Sequence, residues 1–286
     1  MSAKTRLDVA LVAQGLAETR SRAQALIMAG RVSVDGAVVD KAGTPVAAGA
    51  ELSVQEPPRY VSRGGEKLET ALERFAIDVR GERCLDVGSS TGGFTDCLLQ
   101  HGAAAVAAVD VGRAQLHERL RADQRVTVLE GINARRLHAE QLPFRPTFVT
   151  ADVSFISLRL VLPAVLAAAA GQWRAVLLVK PQFEAGPKDV RRGVVRDAAV
   201  RERVLHDVAD FVTSRGPVIL GVCDSSLPGP AGNREYLMYV ASPGHPVTRE
   251  RQTDVSAEIR AAVHGLDQPA GDPSGGCDAR PTGAHR

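Results

Sequence analysis

The sequence predicts an α/β protein: a small α+β module at the N-terminus, then a seven-stranded, mostly parallel sheet with helices on both faces. Three observations carry this. Apolar strand-like runs alternate with helical periodicity from Arg83 to Ser214, an order that packs as parallel strands joined by helical crossovers. The residues before Pro57 keep a different rhythm, two helical patterns and then a hairpin. The first strand of the alternating region runs straight into a glycine-rich turn, Gly88 to Gly93, where open α/β sheets bind their ligands.

In the N-terminal module, Leu7, Ala10 and Leu11 recur at helical spacing. Ser21-Arg22-Ala23-Gln24 predicts a capping box opening a second helix, which Gly30 is suited to end. Residues 32–34 and 37–39 flank Asp35-Gly36, a two-residue hairpin signal, and residues 51–54 predict a further strand. Pro57-Pro58 marks the exit. Beyond it the expected strands are 83–87, 105–109, 126–129, 147–151, 175–179, 218–222 and 236–241. Helices are expected over 91–100, 113–120, 158–170 and 198–214. The last two strands follow one another with no helix between, which implies an antiparallel edge. The expected divisions are a module at 1–56, a linker at 57–62, a sheet domain at 63–243 and an extension at 244–286. The tail beyond about Gly265, rich in Gly, Pro, Asp and Ser, reads as disordered.

Composition narrows the class. Hydrophobic residues make up 44% and charged residues 24%, ordinary for a globular chain. A formal charge of +2 does not argue for a nucleic-acid partner, so any such contact must come from local basic clusters. Cys84, Cys97, Cys223 and Cys277 lack metal-ligand spacing and read as reduced thiols; no metal is expected. Lys4, Arg6 and Asp8 interrupt any signal-peptide run, and the longest apolar stretch, 160–170, is about half a membrane span. The expectation is a cytoplasmic monomer without a membrane partner.

Asp86-Val87-Gly88-Ser89-Ser90-Thr91-Gly92-Gly93-Phe94 forms the strand-to-helix turn. Its spacing is not GxGxxG and it holds no phosphate-binding lysine, which argues against a dinucleotide or nucleoside triphosphate. The second strand ends at Asp110, about 20 residues after Gly88, where an acid accepts hydrogen bonds from ribose hydroxyls. A glycine-rich turn and a ribose acid without a phosphate cradle fit S-adenosylmethionine. Asp86 would orient the loop or hold the amino end of the methionine moiety. Val111 follows the ribose acid, and Asn133, just past the third strand, is a candidate adenine contact.

Ligands bind outside the carboxyl ends of such strands. Read in order, those ends carry Gly88, Asp110, Asp152 and Lys180. A charge closing an apolar strand is costly unless paired or functional, and two on neighbouring strand ends would meet across the cleft. A lysine drawn out of water can act as general base, with a carboxylate to position it. Methyl transfer to a sugar hydroxyl needs such a base. A buried structural ion pair is the alternative for these two residues.

Longer motifs extend the reading. Arg63-Gly64-Gly65-Glu66-Lys67-Leu68, 86–94, 151–157, Lys180-Pro181-Gln182-Phe183-Glu184, 193–197 and Gly232-Asn233-Arg234-Glu235-Tyr236 resemble the TlyA (haemolysin A-like) family. The resemblance covers about residues 4–242. It implies an S4-type RNA-binding domain joined to an FtsJ-like, Rossmann-like S-adenosylmethionine-dependent methyltransferase that 2′-O-methylates cytidines of ribosomal RNA. It implies a tetrad of Lys67, Asp152, Lys180 and Glu235, with Lys180 as base and Asp152 and Glu235 shaping its surroundings. Asp152 stands beside the cofactor as well. Lys67 and Glu235 come from the resemblance alone, since a lysine in an amphipathic helix ordinarily faces solvent.

Arg6, Arg20, Arg22 and Arg31 flank the helices of the S4-like module and are candidate phosphate contacts. Their support from charge is slight, because residues 1–60 balance to +1. Arg63 opens the first motif and joins this set. Lys188, Arg191 and Arg192, with Arg196 against Asp189, leave the stretch 186–196 at +3 directly after the fifth strand. It is a candidate grip on ribosomal RNA or ribosomal subunits. Rival readings are a non-catalytic RNA-binding protein on a degenerate fold, a membrane-active haemolysin, and a methyltransferase for a small molecule.

Overall fold

The computed structural model describes residues 4–55, 58–251 and 253–265. The chain divides into two compact units, Met1–Arg59 and Tyr60–Arg286.

The first unit runs β1 (Thr5–Arg6), α1 (Leu7–Ala13), α2 (Arg20–Met28), β2 (Val32–Val34), β3 (Ala37–Val38), β4 (Pro45–Val46) and β5 (Leu52–Val54). Leu7 and Leu11 of α1 meet Leu26 and Ile27 of α2, and Val32, Val46 and Leu52 close the core. Strand β2 is central, antiparallel to both β3 and β5. Its hairpin turns through Asp35 and Gly36, both at positive φ, as a tight two-residue turn demands. Helix α2 begins earlier than expected: Thr19, not Ser21, is its cap, accepting the Arg22 amide at 3.2 Å. Gln24 is diverted from any capping box because it donates to Asp8 at 2.8 Å. The short β1–β4 pairing has no sequence signal.

The second unit runs α3 (Gly64–Arg74), β6 (Arg83–Val87), α4 (Gly93–Gln100), β7 (Ala105–Asp110), α5 (Glu118–Arg121), β8 (Val126–Glu130), β9 (Phe148–Ala151), α6 (Leu158–Ala168), β10 (Arg174–Val179) and α7 (Pro181–Glu184). It continues with α8 (Ala198–Thr213), β11 (Val218–Asp224), β12 (Tyr236–Ala241), α9 (Val247–Glu250) and α10 (Val255–His264). The seven-stranded sheet is ordered β11-β12-β10-β9-β6-β7-β8. It is parallel from β10 to β8, and β12 lies antiparallel between β10 and β11. Side chains alternate across it. Leu85, Val87, Ala107, Val109 and Leu177 enter one core, while Cys84, Val106, Ala108, Val176 and Leu178 enter the other. Strand order reverses between β6 and β9, which opens a crevice at their carboxyl ends.

Two segments depart from expectation. Residues 113–120 form only the single turn α5. The Glu130 carboxylate accepts the amides of Ala114 at 2.8 Å and Gln115 at 3.2 Å, holding the chain in a loop. Helix α10 lies in the stretch read as an extension; Asp254 caps it and Ile259 and Val263 are buried. The tail expected to be disordered beyond about 265, and Cys277, lie outside the described residues. Among the described residues no helix is long and apolar enough to cross a membrane.

Candidate active site

The crevice holds two adjoining cavities that share Gly88. The first, about 270 Å³, is lined by Val87, Gly88, Asp110, Val111, Ile132 and Asn133, among others. Gly88 sits at φ +83°, and a Cβ there would run into the carbonyl oxygen of Asp152. Only glycine lets the β6–α4 loop approach the end of β9 so closely. Asp110, at the tip of β7, accepts the Gly112 amide at 2.7 Å on one oxygen and the Ser90 amide at 2.8 Å on the other. A carboxylate has further lone pairs, so Asp110 is oriented by the loop and still able to take a ligand's hydroxyls. Asn133 accepts the Arg135 amide at 3.1 Å.

Asp86 stands apart from both cavities. It is fully buried below the loop and accepts the hydroxyls of Thr95 at 2.7 Å and Thr150 at 3.1 Å. Burial pushes its carboxyl up to about 6. It ties β6 to α4 and β9, so of its two expected roles the geometry supports orientation of the loop.

The second cavity, about 250 Å³, gathers Lys67, Asp152, Lys180 and Glu235 with Ser89, Ser90, Thr91, Gly93 and Phe94. Each charged side chain comes from a different place: Lys67 from α3, Asp152 from the end of β9, Lys180 from the end of β10, Glu235 from the entry to β12. They form two ion pairs. Lys180 Nζ lies 2.5 Å from Asp152 Oδ1 and donates to Ser154 Oγ at 2.9 Å. Lys67 Nζ donates to Glu235 Oε2 at 2.5 Å, and Gln182 donates to Glu235 Oε1 at 3.2 Å. Lys67, Lys180 and Glu235 are all buried. Charges so withdrawn from water are tolerated because each meets its opposite.

The surrounding motif residues hold this arrangement. Helix α3 reaches the cleft because its start packs on α4 at Gly93, where a Cβ would strike Ser62 and the Gly65 amide. Gly92, at φ +97°, lies beneath as the N-cap of α4. Glu184 accepts the Leu158 amide at 2.6 Å and the Ser157 hydroxyl at 2.5 Å. It thereby binds the segment after β10 to the segment after β9.

Sequence reading missed several residues at the site. Ser154 and Gln182 contact the charged pairs, and both lie inside motifs quoted above; only their partners, distant in sequence, reveal them. Phe155 is 91% exposed at φ 61°, 5.1 Å from the Phe183 ring. Its signal was a large aromatic closely following the acid of the strand-end motif. Arg63 is exposed and lines the second cavity. Lys188 and Arg191 line a separate cavity of about 290 Å³ with Arg196, and Arg192 is exposed beside it. In the first unit, Arg6 and Arg20 both donate to the buried Asp8, at 3.0 and 2.9 Å. Their guanidinium groups are thus prealigned, while Arg22 is exposed and Arg31 half-buried.

Comparison with known proteins agrees with this architecture. The FtsJ-like methyltransferase family model matches residues 60–241, and the S4 domain model matches residues 5–52. The 16S/23S rRNA (cytidine-2′-O)-methyltransferase TlyA of Mycobacterium tuberculosis is 48% identical over 243 residues, covering 84% of this chain and 91% of the relative. Hemolysin A of Brachyspira hyodysenteriae is 40% identical over 236 residues, covering 82% and 98%. A solved structure from Streptococcus thermophilus, named as a candidate hemolysin, superposes with a TM-score of 0.70 at 41% identity, covering 93% of this chain and 97% of that one. The chain belongs to the TlyA (haemolysin A-like) family, in which an S4 domain is joined to an FtsJ-like methyltransferase domain.

Proposed function

We propose that this chain is an S-adenosylmethionine-dependent methyltransferase acting on the ribose 2′-hydroxyl of cytidine in ribosomal RNA. One observation carries the reading: two lysine–carboxylate pairs, one buried and one partly buried, converge on a cavity that adjoins, through Gly88, a cavity carrying an oriented ribose-type acid. The naming of the M. tuberculosis relative supports the substrate class, and the S4 domain supports an RNA partner.

The first cavity suits the cofactor. Val87, Val109 and Ile132 offer apolar surface to an adenine, and Asp110 offers acceptors to its ribose. With no Cβ at Gly88, the β6–α4 loop packs directly against the Asp152 carbonyl and shapes the cavity wall. Ser89 to Gly93 would hold the methionine end. Bound there, S-adenosylmethionine supplies a methyl group activated by its sulfonium. Lys180 serves as the general base for the 2′-hydroxyl proton, with Asp152 and Ser154 positioning its amine. Lys67 and Glu235 fix the opposite wall. General-base assistance of this kind is worth roughly 10²- to 10⁴-fold, and alignment of the hydroxyl supplies much of the rest.

Purified protein with methyl-labelled S-adenosylmethionine and separate small and large ribosomal subunits tests the reading. Label in RNA, resistant to alkaline cleavage at one ribose and lost with Lys180→Ala, is the expected result. No label in either subunit or in free ribosomal RNA would sink the assignment.

A further inference from the structure

Between β10 and α8 lies the basic segment 186–196. Lys188, Arg191, Arg192 and Arg196 are all exposed, and its single acid, Asp189, is occupied by Arg203 at 2.6 Å. A loop of this charge needs no buried anchor to stay soluble, yet it has two. Asn233, buried, accepts the Val195 amide at 3.1 Å and donates to the Gly193 carbonyl at 2.8 Å. Arg201 of α8, also buried, donates to the Arg196 carbonyl at 2.5 Å and to the Tyr236 hydroxyl at 2.9 Å. Both anchors take backbone atoms of the segment, so its cationic side chains stay available to phosphates.

The other ends of these anchors bracket Glu235. Asn233 precedes it by two residues and Tyr236 follows it. The Glu235 carbonyl accepts the Ser225 amide at 2.9 Å. A Cβ at Gly229 would strike the Glu235 carboxylate, so that side chain is walled in by the same turn. The basic segment is therefore tied to both flanks of the residue that pairs with Lys67.

We infer that Asn233 and Arg201 are positioning residues that transmit the seating of RNA on segment 188–196 to the Glu235–Lys67 pair. The inference rests on the RNA methyltransferase reading above. Neither residue touches substrate in this scheme. Displacement of catalytic groups by about 1 Å costs on the order of 10²-fold, so a link through two buried side chains is enough to gate turnover.

Full-length Asn233→Ala and Arg201→Lys are compared with wild type in three measurements. At saturating ribosomal subunits, kcat is expected to fall roughly tenfold to a hundredfold, while calorimetric affinity for S-adenosylmethionine stays within about threefold. Arg191→Ala/Arg192→Ala is expected to lower kcat in the wild-type background and to add little in the Asn233→Ala background, the non-additivity of a shared path. Hydrogen exchange without RNA is expected to rise together in 187–196 and 225–236. Additive effects, unchanged kcat, loss of cofactor affinity in parallel with kcat, or faster exchange confined to 187–196 would each overturn the link. If wild-type protein methylates no ribosomal RNA, the functional reading falls, and the exchange measurement still decides whether the segment and Glu235 move as one. Should Asn233→Ala not fold, Arg201→Lys carries the same comparisons.

Discussion

Lys67 and Glu235 stand 168 residues apart in the chain and 2.5 Å apart in space, with the glutamate side chain wholly shielded from solvent. Removing one partner strands the other. Lys67→Met is expected to cost about 3–5 kcal/mol in urea unfolding, because the Glu235 charge loses its counterion. Adding Glu235→Gln should recover most of that stability, since the remaining amide still fits Gln182 and carries no charge. Methyl transfer should not return with it. Recovery of both stability and transfer would show the pair to be a structural tie with no part in the reaction.

This pair also marks the limit of what the sequence reveals. Asp152 and Lys180 were legible from the residues alone because a charge at the end of an apolar strand stands out, and neighbouring strand ends meet. Lys67 sits among Glu66 and Glu69 on a helix whose pattern assigns it to solvent. Its burial arises only when α3 packs beside α4 through Gly93. Glu235 lies in an irregular connection, where no period predicts direction; the family motifs were needed for both. Residues 113–120 mislead in the opposite way. Their apolar spacing is helical, but Glu130, supplied by the next strand, captures their amides. Helix α10 was legible in principle, since Val255, Ile259 and Val263 keep a four-residue period behind the Asp254 cap.

Phe155 holds a large apolar ring in solvent from a left-handed backbone, φ 61°, beside Phe183 and directly after Ser154. For a side chain with a Cβ that conformation costs about 1–2 kcal/mol, and exposure recovers nothing. A base stacked on the ring would. Phe155→Ala is expected to leave stability within about 0.5 kcal/mol and weaken RNA binding by about 1–3 kcal/mol. Phe155→Gly should gain stability and show the same binding loss. Unchanged KM for ribosomal subunits in both variants would remove the ring from the substrate site.

Gly88→Ala tests the junction of the two cavities. The new methyl group meets the Asp152 carbonyl and the backbone is at φ +83°, so either the loop or the end of β9 must move. Loss of calorimetric S-adenosylmethionine binding is expected, with stability lowered by more than the roughly 1–2 kcal/mol of the left-handed backbone alone. Gly81→Ala is the control: it shares the positive φ but has open space around its Cβ position. Equal cofactor affinity in Gly88→Ala and wild type would show that the cavity does not need this close approach.

Asp86 predicts a pH dependence with a definite sign. Burial raises its carboxyl from 3.8 to about 6, against the opposing hydrogen bonds of Thr95 and Thr150. The folded state therefore holds the proton more tightly than the unfolded chain. Its unfavourable contribution is absent below about pH 4, grows as the pH rises towards 6, and is constant above that. The full effect is a few kcal/mol at most. Asp86→Asn keeps the shape without the charge: one threonine hydroxyl donates to the amide oxygen, and the other rotates to accept from the amide nitrogen. The difference in unfolding free energy between variant and wild type cancels every other titrating group. That difference is expected to move in favour of the neutral variant between about pH 4 and 6 and to stay level at about pH 7 to 8. A difference that runs flat across the whole range would mean that the threonine hydroxyls stabilise the carboxylate by as much as its burial costs, and one that turns against the asparagine variant as the pH rises would mean that they stabilise it by more.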